Sequence, residues 1–221
     1  MDLIISLWPR FLDATLLTLG IFVIVSLMST TIGLLAALTT IAAGRWFTVL
    51  LAAYGWVFRG VPELVILLFC YLALPQLGLQ IGPIGAAVLG FTLISTAYEI
   101  EIFRSGLAGV HRGQFEAARA LGIPLPSVLR RIVLPQVIRI VATPWITYAT
   151  GSIKRISIAS AVAVTEIMQV TKQAIAFSHQ PFRLILFAAI LYATMASALM
   201  IAEIVVARRF KRRFGLSTEV P

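Results

Sequence analysis

ATLLTLGIFVIVSLMSTTIGLLAALTTIAAG, from Ala14 to Gly44, contains no Asp, Glu, Lys or Arg. A helix needs about 20 apolar residues to cross a bilayer core, so this run can span one with residues to spare. The rest of the chain agrees. Of 221 residues, 60% are apolar and 12% are charged, and the mean hydropathy is +0.98. A soluble domain carries about 25% charge. A soluble chain this apolar would expose patches that aggregate. A soluble enzyme, a disordered regulator and a coiled coil do not fit.

Outward from that run, the pattern predicts an all-α membrane protein, one domain over residues 1–221 with five transmembrane helices. The spans are expected at 14–40, 46–74, 84–109, 137–165 and 183–207. The segment before them, with Trp8-Pro9 as an interfacial anchor, lacks the basic start of a signal peptide and is expected to be retained. The second span is interrupted at Arg59 to Glu63 and the fourth near Lys154-Arg155. Residues Met168 to Phe182 are expected to form a polar loop. The net charge is +9, from 18 Lys and Arg against 9 Asp and Glu. In a membrane protein such an excess marks cytoplasmic loops. Arg45, Arg59, the arginines from Arg104 to Arg139 and the basic tail Arg208 to Arg213 fall on one face under this count. The N-terminus is then outside and the C-terminus cytoplasmic. Membrane lipid is the natural surroundings, and no motif makes nucleic acid a partner.

The long polar segment, 111–135, carries the most specific pattern. Gly113 to Gly122 reads as a short helix, with Gly122 where a left-handed glycine cap belongs. Pro124 and Pro126 force a bend. A second short helix follows and is expected to end at Pro135. Phe115, Ala118 and Leu121 recur at helical spacing, as do Val128, Leu129 and Ile132, and an apolar stripe on a cytosolic loop calls for a partner. An amphipathic hairpin on the lipid surface is the plainer alternative.

Glu116-Ala117-Ala118, then Gly122, then Leu134-Pro135 closely resembles the EAA loop of permease subunits of bacterial ABC importers. Phe58 to Leu64 looks like the FRGTPLL segment of the polar amino-acid branch (histidine, arginine, glutamine and opine type). Ala97 to Gly106 is similar to its AYLAEIFRGG, Ser152 to Ser160 to its LLKDTSLAS, and Val164 to Ile167 to its V-P/T-E-L. The resemblance implies a bacterial inner-membrane subunit that forms a path for polar amino acids or opine-like derivatives. It implies a second permease subunit, a different chain being preferred to a second copy. It also implies a cytoplasmic ABC ATPase dimer, which would bind ATP and Mg, and an extracytoplasmic solute-binding protein. Glu116, Ala117, Ala118, Gly122, Leu134 and Pro135 would then couple the chain to the ATPase. No cofactor and no catalytic residue are expected here, since the Walker pattern G-x-x-x-x-G-K-[ST] is absent.

Charges within apolar runs need a partner or a task, because each costs about 2.5–3.5 kcal/mol at the bilayer centre. Glu101 has Arg104 three residues on, and Glu63 has Arg59 four residues back, so both are expected as structural ion pairs. Glu99 has no such neighbour. With Thr92, Ser95 and Thr96 it makes a polar stripe that faces either a path or another helix. Lys154 and Arg155 also lack a local acid. Glu99, Glu63, Glu166 or a substrate carboxylate could serve them, and Gly151-Ser152 before them permits a broken helix. Thr92, Ser95, Thr96, Glu99, Lys154, Arg155 and Glu166 are therefore the candidate substrate path.

Lys154-Arg155-Ile156 departs from the Lys-Asp-Thr of that branch, so a cation replaces an anion. The chain would then take an anionic ligand, or be the non-binding half of a heterodimer. His111 and His179 are far apart in sequence and suggest no metal site. From another class, an enzyme acting on anionic lipid headgroups remains open, although Glu116 is the only acid near those arginines.

Overall fold

The computed structural model describes residues 2–214; the side chains of the basic tail, Arg208 to Arg213, lie outside the described ones. All regular structure among the described residues is helical. Helix α1 runs Asp2–Thr39, unbroken through Pro9. It therefore begins well before the first expected span.

Helices α2 (Arg45–Gly60) and α3 (Glu63–Leu68) are separated by Val61-Pro62. Val61 is extended, at φ −85° and ψ 136°. The proline ring disfavours helical backbone at the residue before it. A π turn, Phe69–Ala73, and a 3-10 turn, Leu74–Leu77, extend α3. The two arms meet at 101°.

Helix α4, Pro83–Ala108, is the most enclosed of the long helices. A short helix α5 follows at Arg112–Ala120. Next, α6 (Leu125–Val128), a π turn (Leu129–Val133), α7 (Leu134–Arg155) and a 3-10 turn (Ile156–Val162) form one continuous helical stretch. Helices α8 (Ile167–Ser178) and α9 (Pro181–Phe214) complete the order.

Small residues set the crossings. A Cβ on Gly33 of α1 would lie 3.1 Å from the Glu99 Cβ, and one on Gly90 of α4 would lie 3.3 Å from Leu67. On Gly106 it would meet Val141 at 2.2 Å, so α4 and α7 touch only because that position has no side chain. Without a hydrophobic drive between helices in lipid, such close approach is what holds them. Ile21 and Val25 share a core with Phe91 and Ile94, and Ala37 shares another with Phe103. Helices α1 and α4 therefore run parallel, and the bent pair between them must carry the chain back once. Counted that way, the single helices and the bent pair give five candidate spans.

Two expectations change. The stretch after Pro124 does not end at Pro135. The π turn precedes that proline, which sits in the first turn of α7, where the missing N–H costs little. The expected polar loop at 168–182 is largely helix α8. Ile167, Val170 and Ala174 recur at helical spacing and pack with Phe11, Leu184 and Ala188, while Lys172 and Gln173 lie outside that core.

Candidate functional site

Helix α7 brings Tyr148, Ser152 and Arg155 to one face, at positions i, i+4 and i+7. Arg155 is the last α-helical residue before the backbone tightens into the 3-10 turn. The helix therefore changes after Arg155, and not at Gly151-Ser152. The 3-10 turn then closes at Ala163, whose φ is +61°.

Across from it, Glu63 opens α3 just past the 101° bend. Arg155 Nη1 donates to Glu63 Oε1 at 2.8 Å. The pair is half-buried, with side chains 25% and 22% exposed. Arg155 Nη2 donates to Ser152 Oγ. The guanidinium carbon lies 4.6 Å from the Tyr148 ring centre and 5.9 Å from that of Tyr98. Those two rings stack with centroids 5.3 Å apart. Arginine on an aromatic wall with a carboxylate at its edge is a strong, directional arrangement.

Arg59 therefore does not pair with Glu63, as its spacing suggested. It reaches Glu101 at 3.6 Å instead, and Arg104 also approaches Glu101, at 3.8 Å. The bend at Pro62 separates Arg59 and Glu63, so helical spacing does not carry across it.

The polar stripe of α4 is fully buried, with Thr92, Ser95, Thr96 and Glu99 each 5% exposed or less. It divides between two neighbours. Ser95 lines a small cavity with Arg155, Ser152 and Ser26. That space is about 10 Å³, close to the volume one water centre occupies. Glu99 instead faces α1 and accepts from Ser29 Oγ at 3.0 Å. Glu63 Oε2, Thr92 Oγ1, Glu99 Oε2 and Tyr148 OH are buried with no hydrogen-bond partner.

The remaining candidates lie apart. Lys154 points outward from the site. Glu166 caps α8, accepting from the Met168 and Gln169 amides at 3.0 and 2.9 Å and from the Tyr192 hydroxyl. Glu63 was placed in a structural pair by sequence, and Tyr98, Tyr148 and Ser152 were missed. The i, i+4, i+7 spacing of the α7 residues was the available signal.

The knob formed by α5 is the second site. His111 caps its start, its Nδ1 accepting from Gly113 N at 3.1 Å. At its end the Gly122 amide donates to Arg119 O and the Ile123 amide to Ala118 O, each at 3.0 Å. Gly122 has φ +67°. This is the left-handed glycine cap anticipated from sequence, closed by two hydrogen bonds. The apolar stripe, however, finds its partner within the chain. Phe115 and Ala118 pack against Ala37, Phe103, Val110, Val128 and Val133, and Leu129 and Ile132 lie against the same core. The outward apolar tip is Leu121, with Ile123 and Leu125 beside it. Glu116 and Ala117 are exposed, Leu134 is half-buried and Pro135 is exposed.

Residues 29–214 match the family of binding-protein-dependent transport system inner membrane components. A probable amino-acid ABC transporter permease of Bacillus subtilis, YckA, is 37% identical over 173 residues, covering 77% of this chain and 75% of that one. The arginine transport system permease ArtQ of the same organism is 30% identical over 204 residues, covering 92% and 93%. A solved amino acid ABC transporter with histidines superposes with a TM-score of 0.84 at 26% identity, covering 93% of this chain and 96% of that one. The methionine transporter MetNI, at 16% identity and a TM-score of 0.79, shares the fold.

Proposed function

The chain belongs to the binding-protein-dependent transport system inner membrane components, and from that membership we propose that it forms part of the path for a polar amino acid and couples it to an ATPase through α5. It is a multi-pass inner-membrane subunit of an ABC importer of the polar amino-acid type. Its substrate in this reading is a polar amino acid or an opine-like derivative. The relatives reported above are named for amino acids and for arginine. They are also named as permeases, which supports a non-catalytic role over the lipid-enzyme reading.

The observation that carries the coupling proposal is the continuous core beneath the knob. Ala118 of α5 packs with Ala37 at the end of α1, Phe103 near the end of α4, Val133 at the end of the π turn and Val137 in the first turn of α7. A well-packed core transmits displacement instead of absorbing it. A partner that moves Leu121 and its neighbours therefore moves the ends of three spans. In this proposal the knob faces the cytoplasm and seats on an ATPase dimer that binds ATP and Mg. The N-terminus lies outside, where a solute-binding protein delivers the ligand.

The proposed path runs past Ser95, Thr92, Thr96 and Arg155. Lys154, Glu99 and Glu166 serve it from the periphery. A different permease chain completes the dimer in this reading, since the segment that Ser152 to Ser160 resembles has Asp where this chain has Arg155. The test is co-purification from membranes in mild detergent. An ATPase should copurify, and its activity should rise with a solute-binding protein and a polar amino acid. A chain that purifies alone would overturn the reading.

A further inference from the structure

Arg155 has no acid within a helical turn, but in the fold it is half of a neutral pair with Glu63, one of the partners the sequence offered. That changes what a ligand must bring. Glu63 and Arg155 lie 92 residues apart in sequence and meet at 2.8 Å. Each stands at a change in its helix: Glu63 just after the 101° bend, Arg155 just before the 3-10 turn.

The space beside the pair is about 10 Å³, too small for an amino acid. A ligand that takes up either side chain must part the two. A carboxylate alone could take Arg155 but would leave Glu63 half-buried and unpaired. An ammonium alone would do the reverse. Losing one partner of an enclosed ion pair is far costlier than exchanging both. Only a group that presents both charges, a few ångströms apart, leaves each side chain with a partner.

We propose that the Glu63–Arg155 pair is an exchange site for a zwitterion: the ligand's carboxylate takes Arg155 while its ammonium takes Glu63. The stacked rings of Tyr98 and Tyr148 hold the guanidinium in place during the exchange. Ser95 and Ser26 line the same space and offer hydroxyls to the carboxylate, while the Ser152 hydroxyl donates to Tyr148 O at 2.9 Å. The specificity read here is for the amino-acid backbone and not for a cationic side chain. This deepens the transport reading and rests on it.

The test uses the assembled permease–ATPase complex in detergent, without the solute-binding protein. The twenty standard amino acids are titrated singly by calorimetry, and the tightest is compared with its α-amide and its Nα-acetyl form. In the parent both blocked forms should bind at least about tenfold more weakly. Glu63→Gln leaves Arg155 alone, so the acetylated, anionic form should become the best of the three. Arg155→Gln should make the cationic amide the best. The double exchange Glu63→Arg with Arg155→Glu keeps a pair, should still prefer the zwitterion, and shows that the site folds.

An unchanged ranking in both single variants overturns the proposal, as does a parent that binds none of the amino acids. ATPase activity that still responds to the solute-binding protein in those cases leaves the transport reading standing. A complex that never assembles with an ATPase removes the reading beneath it.

Discussion

At the scale of the residue, the Glu63–Arg155 pair governs stability as well as recognition. Exposed pairs contribute about 0–1 kcal/mol, whereas breaking a buried one costs about 3–5 kcal/mol. At 25% and 22% exposure this pair lies between, so Arg155→Leu should cost about 2 kcal/mol by leaving Glu63 unpaired. Replacing both with leucine removes the unpaired charge and should cost less than either single change. Thermal unfolding of the three variants in detergent measures this. A double variant less stable than both singles would contradict it. Sequence alone showed that Arg155 had no local acid and named Glu63 among its possible partners. It could not choose Glu63 because helical spacing reports only neighbours within a turn, and it assigned Glu63 to Arg59 across a bend that breaks that spacing. Glu99 shows the same limit. Its stripe was legible, but Ser29, the partner it found, is 70 residues away on another helix.

At the scale of the element, two glycines do different work. Gly106 is a contact glycine: a methyl there would lie 2.2 Å from Val141 Cγ1. Gly106→Ala should therefore force α4 and α7 apart and cost about 1–3 kcal/mol. Adding Val141→Ala should recover most of it, and the recovery in thermal stability identifies the clash as the cause. Gly122 is a conformational glycine. Nothing lies within 4 Å of its Cβ direction, so only its φ of +67° resists substitution. Gly122→Ala should cost about 1 kcal/mol, and Gly122→Asn less, because asparagine tolerates the left-handed region. Equal stability of the two, by thermal unfolding, would contradict the strained-backbone account. This cap was readable from sequence, since a glycine followed by prolines is local information. The continuous stretch from Leu125 to Val162 was not, because the π turn that admits Pro135 leaves no residue signature. Helix α8 was hidden differently: its polar face outweighed the apolar spacing of Ile167, Val170 and Ala174 until the core that receives them was known.

At the scale of the whole molecule, the core that joins α5 to α1, α4 and α7 makes the knob a lever instead of a tether. The apolar residues expected to face a partner are mostly spent on that internal joint, and Leu121, at 76% exposed, remains outside. Sidedness and coupling can then be tested together. Helix α1 starts at one face, and the bent pair, α4 and α7 carry the chain back and forth before α9. Ser6 and Leu121 should accordingly lie on opposite sides of the membrane. With the buried Cys70 replaced by alanine, Ser6→Cys should react with an impermeant maleimide in right-side-out vesicles. Leu121→Cys should react only in inside-out ones. Reaction of both from one side would end the five-span reading. Assembly with an ATPase should shield Leu121→Cys from the reagent. Gly122→Asp should keep the chain in the membrane, because the strain of about 1 kcal/mol is local to the cap. The reoriented tip should lose its seat, so substrate-stimulated ATP hydrolysis should fall while basal hydrolysis by the ATPase persists. Full stimulation in that variant would mean that the tip of α5 does not carry the motion, and that the load passes through another contact of the same core.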